Sequence, residues 1–194
     1  MIVGSLPFAH YLAMVRGGWR SLLNDPQVRL FLILAVGLVL LLIWHLMQTG
    51  LGFGQAVRQA SFNGVSIMTG TGYVSANFSA WGGFATTILL IVMFIGGCGG
   101  STTCGIKVFR LQVLASTAKV QISRLLRPHA VVLAYYNKRP VSVEVMDSVM
   151  GFFYLFILGF VLIAIMLGMA GLDFVTALSG AATSISNVGP GLGE

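Results

Sequence analysis

Two short polar stretches combine glycine with hydroxyl side chains and lie among long apolar segments of the 194-residue chain. We call Thr69–Tyr73 the first polar turn and Ser186–Gly191 the second polar turn. Several oxygens must replace the water around a cation at once, and glycine lets the backbone turn successive carbonyl oxygens toward one axis. These residue types predict cation binding by main-chain oxygens, to which Thr69 and Ser186 can add a hydroxyl. The alternative for either stretch alone is a glycine-rich external turn.

The elements that must position these turns are typical of a membrane protein. Hydrophobic residues make up 57% of the chain and charged residues only 8%, which is too little charge for a soluble domain. Leu30–Met47 and Val149–Ala170 contain no charged residue and are long enough to cross a hydrocarbon core as helices. A third apolar segment runs from Phe84 to Ile95, where glycines begin. The sequence therefore predicts an all-α membrane fold.

Each polar turn follows an apolar segment that is too short to cross the bilayer, Gly54–Met68 in one case and Leu172–Ile185 in the other. A helix of about 12 residues reaches only about 18 Å and ends midway through the membrane. Its C-terminal carbonyls and the negative end of its dipole would then favour a cation at the membrane centre. Asp173, three residues before Thr176, is predicted to cap the second of these re-entrant pore helices.

The same order of elements occurs twice. A shift of 117 residues (189 minus 72) places Gly72 on Gly189 and Thr69 on Ser186, and it brings the two long apolar spans into register. Chance pairing of glycines is the alternative, but it does not explain the register of the spans. Thr-Gly-Thr-Gly-Tyr is also chemically close to the Thr-Val-Gly-Tyr-Gly run whose carbonyls bind potassium in channels. We therefore expect a potassium-channel-like pore whose repeats each consist of a helix, a re-entrant pore helix and a second helix.

Positive charge is concentrated at two places in a chain of net charge +6. Ten of the eleven Lys and Arg residues belong to these two groups, and Arg58 stands apart. The groups are Arg16, Arg20 and Arg29, and then Lys107, Arg110, Lys119, Arg124, Arg127, Lys138 and Arg139. Basic residues flank membrane spans on the cytoplasmic side, so both groups predict cytosolic segments of a multi-pass protein. Nucleic acid is not an expected partner, because no aromatic residues interleave these charges.

A second glycine cluster, residues 96–105, follows the third apolar segment. Its five glycines in ten residues, at about 1 kcal/mol each relative to alanine, disfavour a continuous helix by roughly 5 kcal/mol. We expect a break on the cytosolic side of the polar turns, where a movable loop could obstruct a pore. The predicted gating residues are Gly96, Gly97, Gly99, Gly100, Ser101 and Gly105. Close helix packing through small residues is the alternative.

Two stretches resemble signatures of a known family. Gly97–Lys107 and Ser186–Gly193 closely resemble stretches of the Trk/Ktr/HKT potassium transporters, and they are most similar to the bacterial Trk potassium-uptake membrane subunits. The resemblance implies four pore repeats around one axis and potassium uptake across the cytoplasmic (inner) membrane, with a glycine-rich intramembrane gate. It also implies a homodimer in membrane lipid, a cytosolic nucleotide-binding regulatory subunit, and no cofactor besides the transported potassium.

The resemblance also assigns roles to positions of this chain. Gly72 is similar to the filter glycine of the family's third repeat, and Gly189 is similar to that of the fourth. The filter then comprises Thr69, Gly70, Thr71, Gly72, Tyr73, Ser186, Asn187, Val188 and Gly189. Within it, the resemblance implies that potassium contacts the carbonyl oxygens of Gly70, Thr71, Asn187 and Val188.

The same resemblance divides the chain into three parts. Residues 1–28 correspond to the end of a preceding repeat with a cytosolic segment, and residues 29–127 correspond to a third-type pore repeat with a broken inner helix. Residues 128–194 correspond to a fourth-type repeat that stops after its filter. The chain is therefore expected to be a fragment that supplies two of four filter strands.

Two other functions compete with ion transport. Ser101 among glycines fits an intramembrane serine hydrolase, although His45 lies in another span and is better explained as an interfacial residue. A non-conducting fragment or membrane scaffold is the second alternative. Cys98 and Cys104 are six residues apart and lack zinc-type spacing, so they are interpreted as packing residues. The sequence therefore predicts that the chain is not an enzyme and holds no metal besides potassium.

Overall fold

The computed structural model describes residues 1–15, 18, 22, 24–127, 133–137 and 139–192. The predictions for Arg16, Arg20, Lys138 and Gly193 fall outside these residues. The α-helices of the described chain are α1 (Phe8–Val15), α2 (Pro26–Gln48), α3 (Phe53–Met68), α4 (Gly83–Met93), α5 (Val108–Leu126), α6 (Val143–Met169) and α7 (Phe174–Ser186). Short 3-10 helices cover Ile2–Ser5 and Phe78–Trp81, and two strands, β1 (Tyr135–Tyr136) and β2 (Arg139–Pro140), complete the elements.

The two predicted membrane spans are present as long apolar helices. α2 has 23 residues and α6 has 27, and both are long and apolar enough to cross a bilayer. Each helix begins before its charge-free run, because a side chain caps its first turn. Asp25 accepts the Gln27 N–H at 2.7 Å, and Ser142 accepts the Val145 N–H at 3.4 Å. These caps are themselves 117 residues apart (142 minus 25), so the internal repeat extends to the helix starts.

The two short apolar segments predicted before the polar turns are helices of 16 and 13 residues. α3 packs against α2, and its Ala56 and Ala60 are fully buried. A Cβ added at Gly64 would lie 3.0 Å from Leu42 Cδ1, so the two helices approach closely there. α7 packs against α6 in a matching helical hairpin. Small residues at both contacts make this close approach possible.

The predicted cap of α7 is confirmed. Asp173 Oδ2 accepts the backbone N–H groups of Val175 and Thr176 at 3.1 Å and 3.3 Å. The carboxylate therefore satisfies two of the N–H groups that the first helical turn leaves unpaired, and the helix begins at the next residue. α3 has no such side chain, because Gly52 occupies its cap position without a side-chain bond.

The third apolar segment is interrupted where its glycines begin, as predicted, and the chain is not helical between α4 and α5. The two ends of this interruption are joined by backbone hydrogen bonds. Gly96 N–H donates to Ile106 O at 2.9 Å, and Ile106 N–H donates to Phe94 O at 2.9 Å. Residues 96–105 therefore form a closed loop, which we call the glycine-rich loop.

A short antiparallel hairpin precedes α6 and was not predicted from the sequence. Tyr136 pairs with Arg139 in its register, and β1 is held on α5 through one side chain. The Tyr135 N–H donates to Ser116 Oγ at 3.2 Å, and Ser116 Oγ donates to the Tyr135 carbonyl oxygen at 3.1 Å. Strands of two residues are too short to produce a readable alternation of polar and apolar residues.

Candidate functional site

The first polar turn leaves α3 through a Schellman motif. Thr71 N–H donates to Ser66 O at 2.9 Å, and Gly70 N–H donates to Ile67 O at 3.1 Å. Gly70 has a φ of +61°, the left-handed conformation that this helix ending requires. The two bonds satisfy carbonyls at the helix end and fix the direction in which the turn leaves the helix.

The second polar turn leaves α7 by the same bonds, 117 residues later (187 minus 70). Val188 N–H donates to Thr183 O at 3.0 Å, and Asn187 N–H donates to Ser184 O at 3.4 Å. Asn187 has a φ of +52°, and asparagine is one of the few residues other than glycine that adopt this conformation readily. The register found in the sequence is therefore repeated in the hydrogen bonds of the backbone.

The two polar turns contact each other through their backbones. Gly72 and Gly189 have φ values of +78° and +111°, so both positions favour glycine. A Cβ added at Gly72 would collide with the Val188 carbonyl oxygen, and one at Gly189 would lie 3.5 Å from the Gly72 Cα. The fold thus brings together the two turns that the sequence predicts to act together.

Backbone oxygens of the polar turns lack partners within the described protein. Among the residues that the structure describes, no N–H or O–H group donates to the carbonyl oxygens of residues 69–73 or 187–190. The Thr69 hydroxyl donates to Val65 O at 2.7 Å and contacts the Thr71 hydroxyl at 2.7 Å. Since backbone oxygens must be satisfied by protein, water or a ligand, these carbonyls are available to a group from outside the chain.

The remaining hydroxyls and side chains of the predicted filter differ in environment. Ser186 Oγ is buried and bonds to no group among the described residues, whereas Tyr73 is 70% exposed. A buried hydroxyl normally has a hydrogen-bond partner, so the Ser186 oxygen is a further acceptor that the turn leaves open. The main-chain oxygens and this hydroxyl are the groups of the site with spare capacity for a cation.

Two buried side chains that the sequence analysis missed hold the far ends of the turns. Asn63 on α3 accepts the Ser75 N–H at 2.9 Å and donates to Ser75 Oγ at 3.0 Å. Ser179 on α7 accepts the Leu192 N–H at 2.9 Å and donates to Leu192 O at 2.6 Å. Ser75 and Leu192 are again 117 residues apart (192 minus 75), so each pore-helix-like segment carries one such tether. A polar residue within an apolar helix was the only available sequence signal.

We expect Asn63→Ala to loosen the first polar turn. The change removes both bonds to Ser75, and leaving such groups unpaired costs about 1–3 kcal/mol. The full-length protein carrying Asn63→Ala should melt several degrees lower than the wild type. Asn77→Ala is the control, because Asn77 is exposed and caps only a 3-10 helix. Equal melting temperatures for the Asn63 variant and wild type would contradict the tether.

The glycine-rich loop is fixed to the N-terminal segment of the chain. Cys98 N–H donates to Ser5 O at 2.9 Å, and Thr102 N–H donates to Gly4 O at 3.2 Å. A Cβ added at Gly97 would lie only 2.7 Å from Ser5 O, so this close approach requires glycine. The loop is therefore a defined structure, and this cluster of glycines does not serve to pack two helices together.

Lys107 lies at the end of the glycine-rich loop and contacts Ser101, the candidate nucleophile of a serine hydrolase. Its ammonium donates to Ser101 O at 3.1 Å, to Ser101 Oγ at 3.2 Å and to the Thr103 carbonyl oxygen. Ser101 Oγ in turn donates to Cys98 O at 2.6 Å. Three oxygens of the loop occupy the Lys107 amine, and the Ser101 proton is directed at a carbonyl, so the pair is not arranged as a nucleophile and its base. This geometry supports a structural role for Ser101.

A polar cavity of about 280 Å³ separates the glycine-rich loop from the two turns. It is lined by Met1, Gly4, Ser5, Thr69, Gly70, Thr71, Thr102, Thr103, Cys104 and Asn187. Asn187 Nδ2 lies 3.7 Å from Cys104 Sγ, and this weak hydrogen bond crosses between the second polar turn and the loop. The predicted gating glycines shape the loop, whereas Thr102, Thr103 and Cys104, which were not predicted, form the surface that faces the turns.

The two cysteines lie in different environments and are not joined by a disulfide bond. Cys98 is fully buried within the loop and Cys104 is exposed to the cavity, and both are free thiols. In the described part of the chain, no three His, Cys, Asp or Glu side chains are grouped as metal ligands. The candidate site is therefore built from main-chain oxygens and hydroxyls, which suit a hard monovalent cation.

Comparisons with a family model and with relatives of known name agree with one another. The family model for TrkH, a cation transport protein, matches residues 15–194. The Trk system potassium uptake protein TrkI of Halomonas elongata is 42% identical over 195 residues, which cover 100% of this chain and 39% of the relative. The Trk system potassium uptake protein TrkH of Vibrio parahaemolyticus is 36% identical, over 95% of this chain and 39% of the relative.

The fold is also similar to a solved structure. The crystal structure of the potassium transporter TrkH from Vibrio parahaemolyticus matches with a TM-score of 0.91 and 33% identity, over 100% of this chain and 42% of that chain. This chain thus spans about two fifths of the length of the relatives it matches. Since the family model covers nearly all of the chain, the chain belongs to the TrkH family of cation transport proteins, which are helical membrane proteins.

Proposed function

We propose that the protein containing this chain takes up potassium across the cytoplasmic (inner) membrane through a filter of main-chain carbonyls. The polar turns supply two filter strands, in which potassium contacts the carbonyl oxygens of Gly70, Thr71, Asn187 and Val188. One observation carries the proposal: two helices end in the same Schellman motif, 117 residues apart, and the turns that follow them touch each other. The carbonyl oxygens of these turns accept no hydrogen bond from the described residues.

Electrostatics favour a cation at this place. The C-terminal end of each short helix carries roughly half a negative charge from its aligned peptide dipoles, and the carbonyls of the following turn add to it. A potassium ion loses its hydration shell in the membrane only where several oxygens replace the water together. Two helix ends that converge on one pair of touching turns meet this requirement better than either turn alone.

The rest of the family's architecture is proposed on the same basis. Residues 29–127 form a third-type pore repeat, residues 128–194 belong to a fourth-type repeat, and residues 1–28 end a preceding one. The other filter strands come from parts of the protein outside this chain. We also propose a multi-pass homodimer. Its basic cytosolic segments, near Arg16 or around Lys107–Arg139, contact a nucleotide-binding regulatory subunit.

The glycine-rich loop is proposed to gate this pore from the cytosolic side. Its face around Thr102 and Thr103 lies across a cavity of about 280 Å³ from the first polar turn, where it obstructs an ion that leaves the filter. Loops that lack regular structure are tolerated at membrane depth only where they line such a cavity or are buried in protein. Because backbone hydrogen bonds join the ends of the loop, its middle can move without disturbing α4 or α5 once its bonds to residues 4–8 and Gln27 break.

The proposal is tested with the full-length protein in cells that lack their own potassium uptake. We expect growth at limiting potassium and rubidium uptake by the wild type, and uptake should persist in Ser101→Ala. A scaffold would give neither growth nor uptake, and a serine hydrolase would lose its function in the Ser101 variant. Absence of rubidium uptake by a protein that reaches the membrane would refute the transport function.

A further inference from the structure

The start of α2 is in direct contact with the glycine-rich loop. Gln27 Oε1 accepts the Gly99 N–H at 2.8 Å, across 72 residues of sequence. The Gln27 backbone is held in turn, because its N–H donates to the Asp25 cap at 2.7 Å. The other backbone hydrogen bonds of the loop among the described residues go to residues 4–8, to Ile106 and Val108 after the loop, or stay within the loop. Gln27 adds a hydrogen bond from α2, one of the two helices long enough to cross a membrane.

The same side chain faces the cytosolic hairpin. The Tyr136 side chain of β1 is close enough to the Gln27 side chain to interact with it. Burial, with a smaller contribution from the negative charge of Asp25, raises the pKa of Tyr136 to about 12. The phenol is thus uncharged at physiological pH and stays a hydrogen-bonding partner for an amide. One glutamine side chain is therefore a neighbour of both the hairpin and the loop.

Neighbouring contacts make the start of α2 a rigid support. Gln112 on α5 donates to the Pro26 carbonyl oxygen at 3.0 Å, and His10 on α1 bonds to Asp25 at 2.8 Å. With the start of the helix fixed on two sides, the Gln27 side chain is the part of this contact that can move. Coupling between distant sites needs such an element with two arrangements, and the bond to Gly99 can be made or broken without moving the helix.

We infer that Gln27 is a positioning residue that holds the glycine-rich loop across the pore and links it to the cytosolic hairpin through Tyr136. A displacement of the hairpin would pull the amide away from the Gly99 N–H and release the loop. The inference rests on the proposed gate, and it adds the residue and the direction from which that gate is controlled. It also gives the hairpin, which no sequence pattern singled out, a regulatory role.

The test uses the full-length protein and two readouts. Gln27→Ala should raise the basal rubidium flux about fivefold, the effect of losing one hydrogen bond that favours the closed loop. The second readout is labelling of Cys98, whose side chain is 0% exposed in the structure. In a protein whose other cysteines are replaced, Gln27→Ala should make this thiol reactive toward a charged maleimide. Gln48→Ala is the matched control, because Gln48 is an exposed glutamine at the other end of the same helix.

Further variants separate positioning from a general loss of structure. Gln27→Glu keeps an acceptor oxygen for the Gly99 N–H, so its flux and thiol labelling should remain near those of the wild type. Tyr136→Phe should raise the flux less than Gln27→Ala, and the double variant should be no leakier than Gln27→Ala alone. If the effects of the two changes were additive, the result would contradict a link between the hairpin and the loop through Gln27.

The failure of this inference can be told apart from failure of the gate itself. Deletion of residues 98–103 should raise the flux at least as much as Gln27→Ala. If the deletion raises it and Gln27→Ala changes neither flux nor Cys98 labelling, Gln27 does not position the loop. If the deletion also leaves the flux unchanged, the loop is not a gate, and both the proposed gate and the role of Gln27 are refuted.

Discussion

Replacing Gly72 by alanine should nearly abolish potassium uptake by the full-length protein. The added Cβ would collide with the Val188 carbonyl oxygen, and the φ of +78° is one that alanine adopts poorly. The left-handed conformation alone costs about 1–2 kcal/mol in a residue with a Cβ. Displacement of a coordinating carbonyl adds to the transport barrier, and each further 1.4 kcal/mol or so slows transport about tenfold. Rubidium uptake at matched membrane expression measures the loss.

Gly54→Ala is the control for this variant. Gly54 lies on α3, the helix that leads to the first polar turn. It has no neighbour within 4 Å of an added Cβ and occupies a helical position that favours alanine over glycine. Uptake by this control should equal that of the wild type. Wild-type uptake by the Gly72 variant would show that the first polar turn does not coordinate the transported ion.

Removing residues 98–103 should have the opposite effect and increase the flux by about tenfold or more. The loop ends are joined by the Gly96 and Ile106 bonds, so a shorter connection can leave α4 and α5 in place. Thr102 and Thr103 then no longer face the first polar turn across the cavity. The preference for potassium over sodium should be unchanged, because the deletion leaves the carbonyls of both turns intact.

Rubidium flux with and without competing sodium checks both parts of this prediction. An increased flux with loss of potassium preference would mean that the loop also shapes the filter. An unchanged flux would contradict gating by the loop. The deletion variant must retain the melting temperature of the wild type to within a few degrees for either comparison to hold.

Much of the architecture could be predicted because membrane helices and their breaks leave strong local signals. The ends of α3 and α7 follow from apolar runs that stop at Gly70 and Asn187, two residues that tolerate the left-handed conformation. The break after Phe94 follows from five glycines in ten residues. The cap at Asp173 follows from a single acidic residue before an apolar helix.

The contacts that fix the site could not be predicted, because they join residues far apart in the sequence. Asn63 and Gln27 each form their decisive bonds with one backbone group elsewhere, and nothing local distinguishes them from other polar residues in helices. The threonines that face the cavity were missed for a related reason. Glycine marks where a loop bends, but the three-dimensional path of the loop decides which side chains face the cavity.

Anomalous scattering can locate thallium or rubidium in the intact transporter and so test whether the polar turns bind the transported ion. A filter of main-chain carbonyls predicts a peak between the two polar turns, in contact with the main-chain oxygens of Thr71 and Val188. The peak should vanish in Gly72→Ala and persist in Gly54→Ala. A wild-type structure in which these oxygens accept hydrogen bonds from protein groups, with no ion density between the turns, would contradict it.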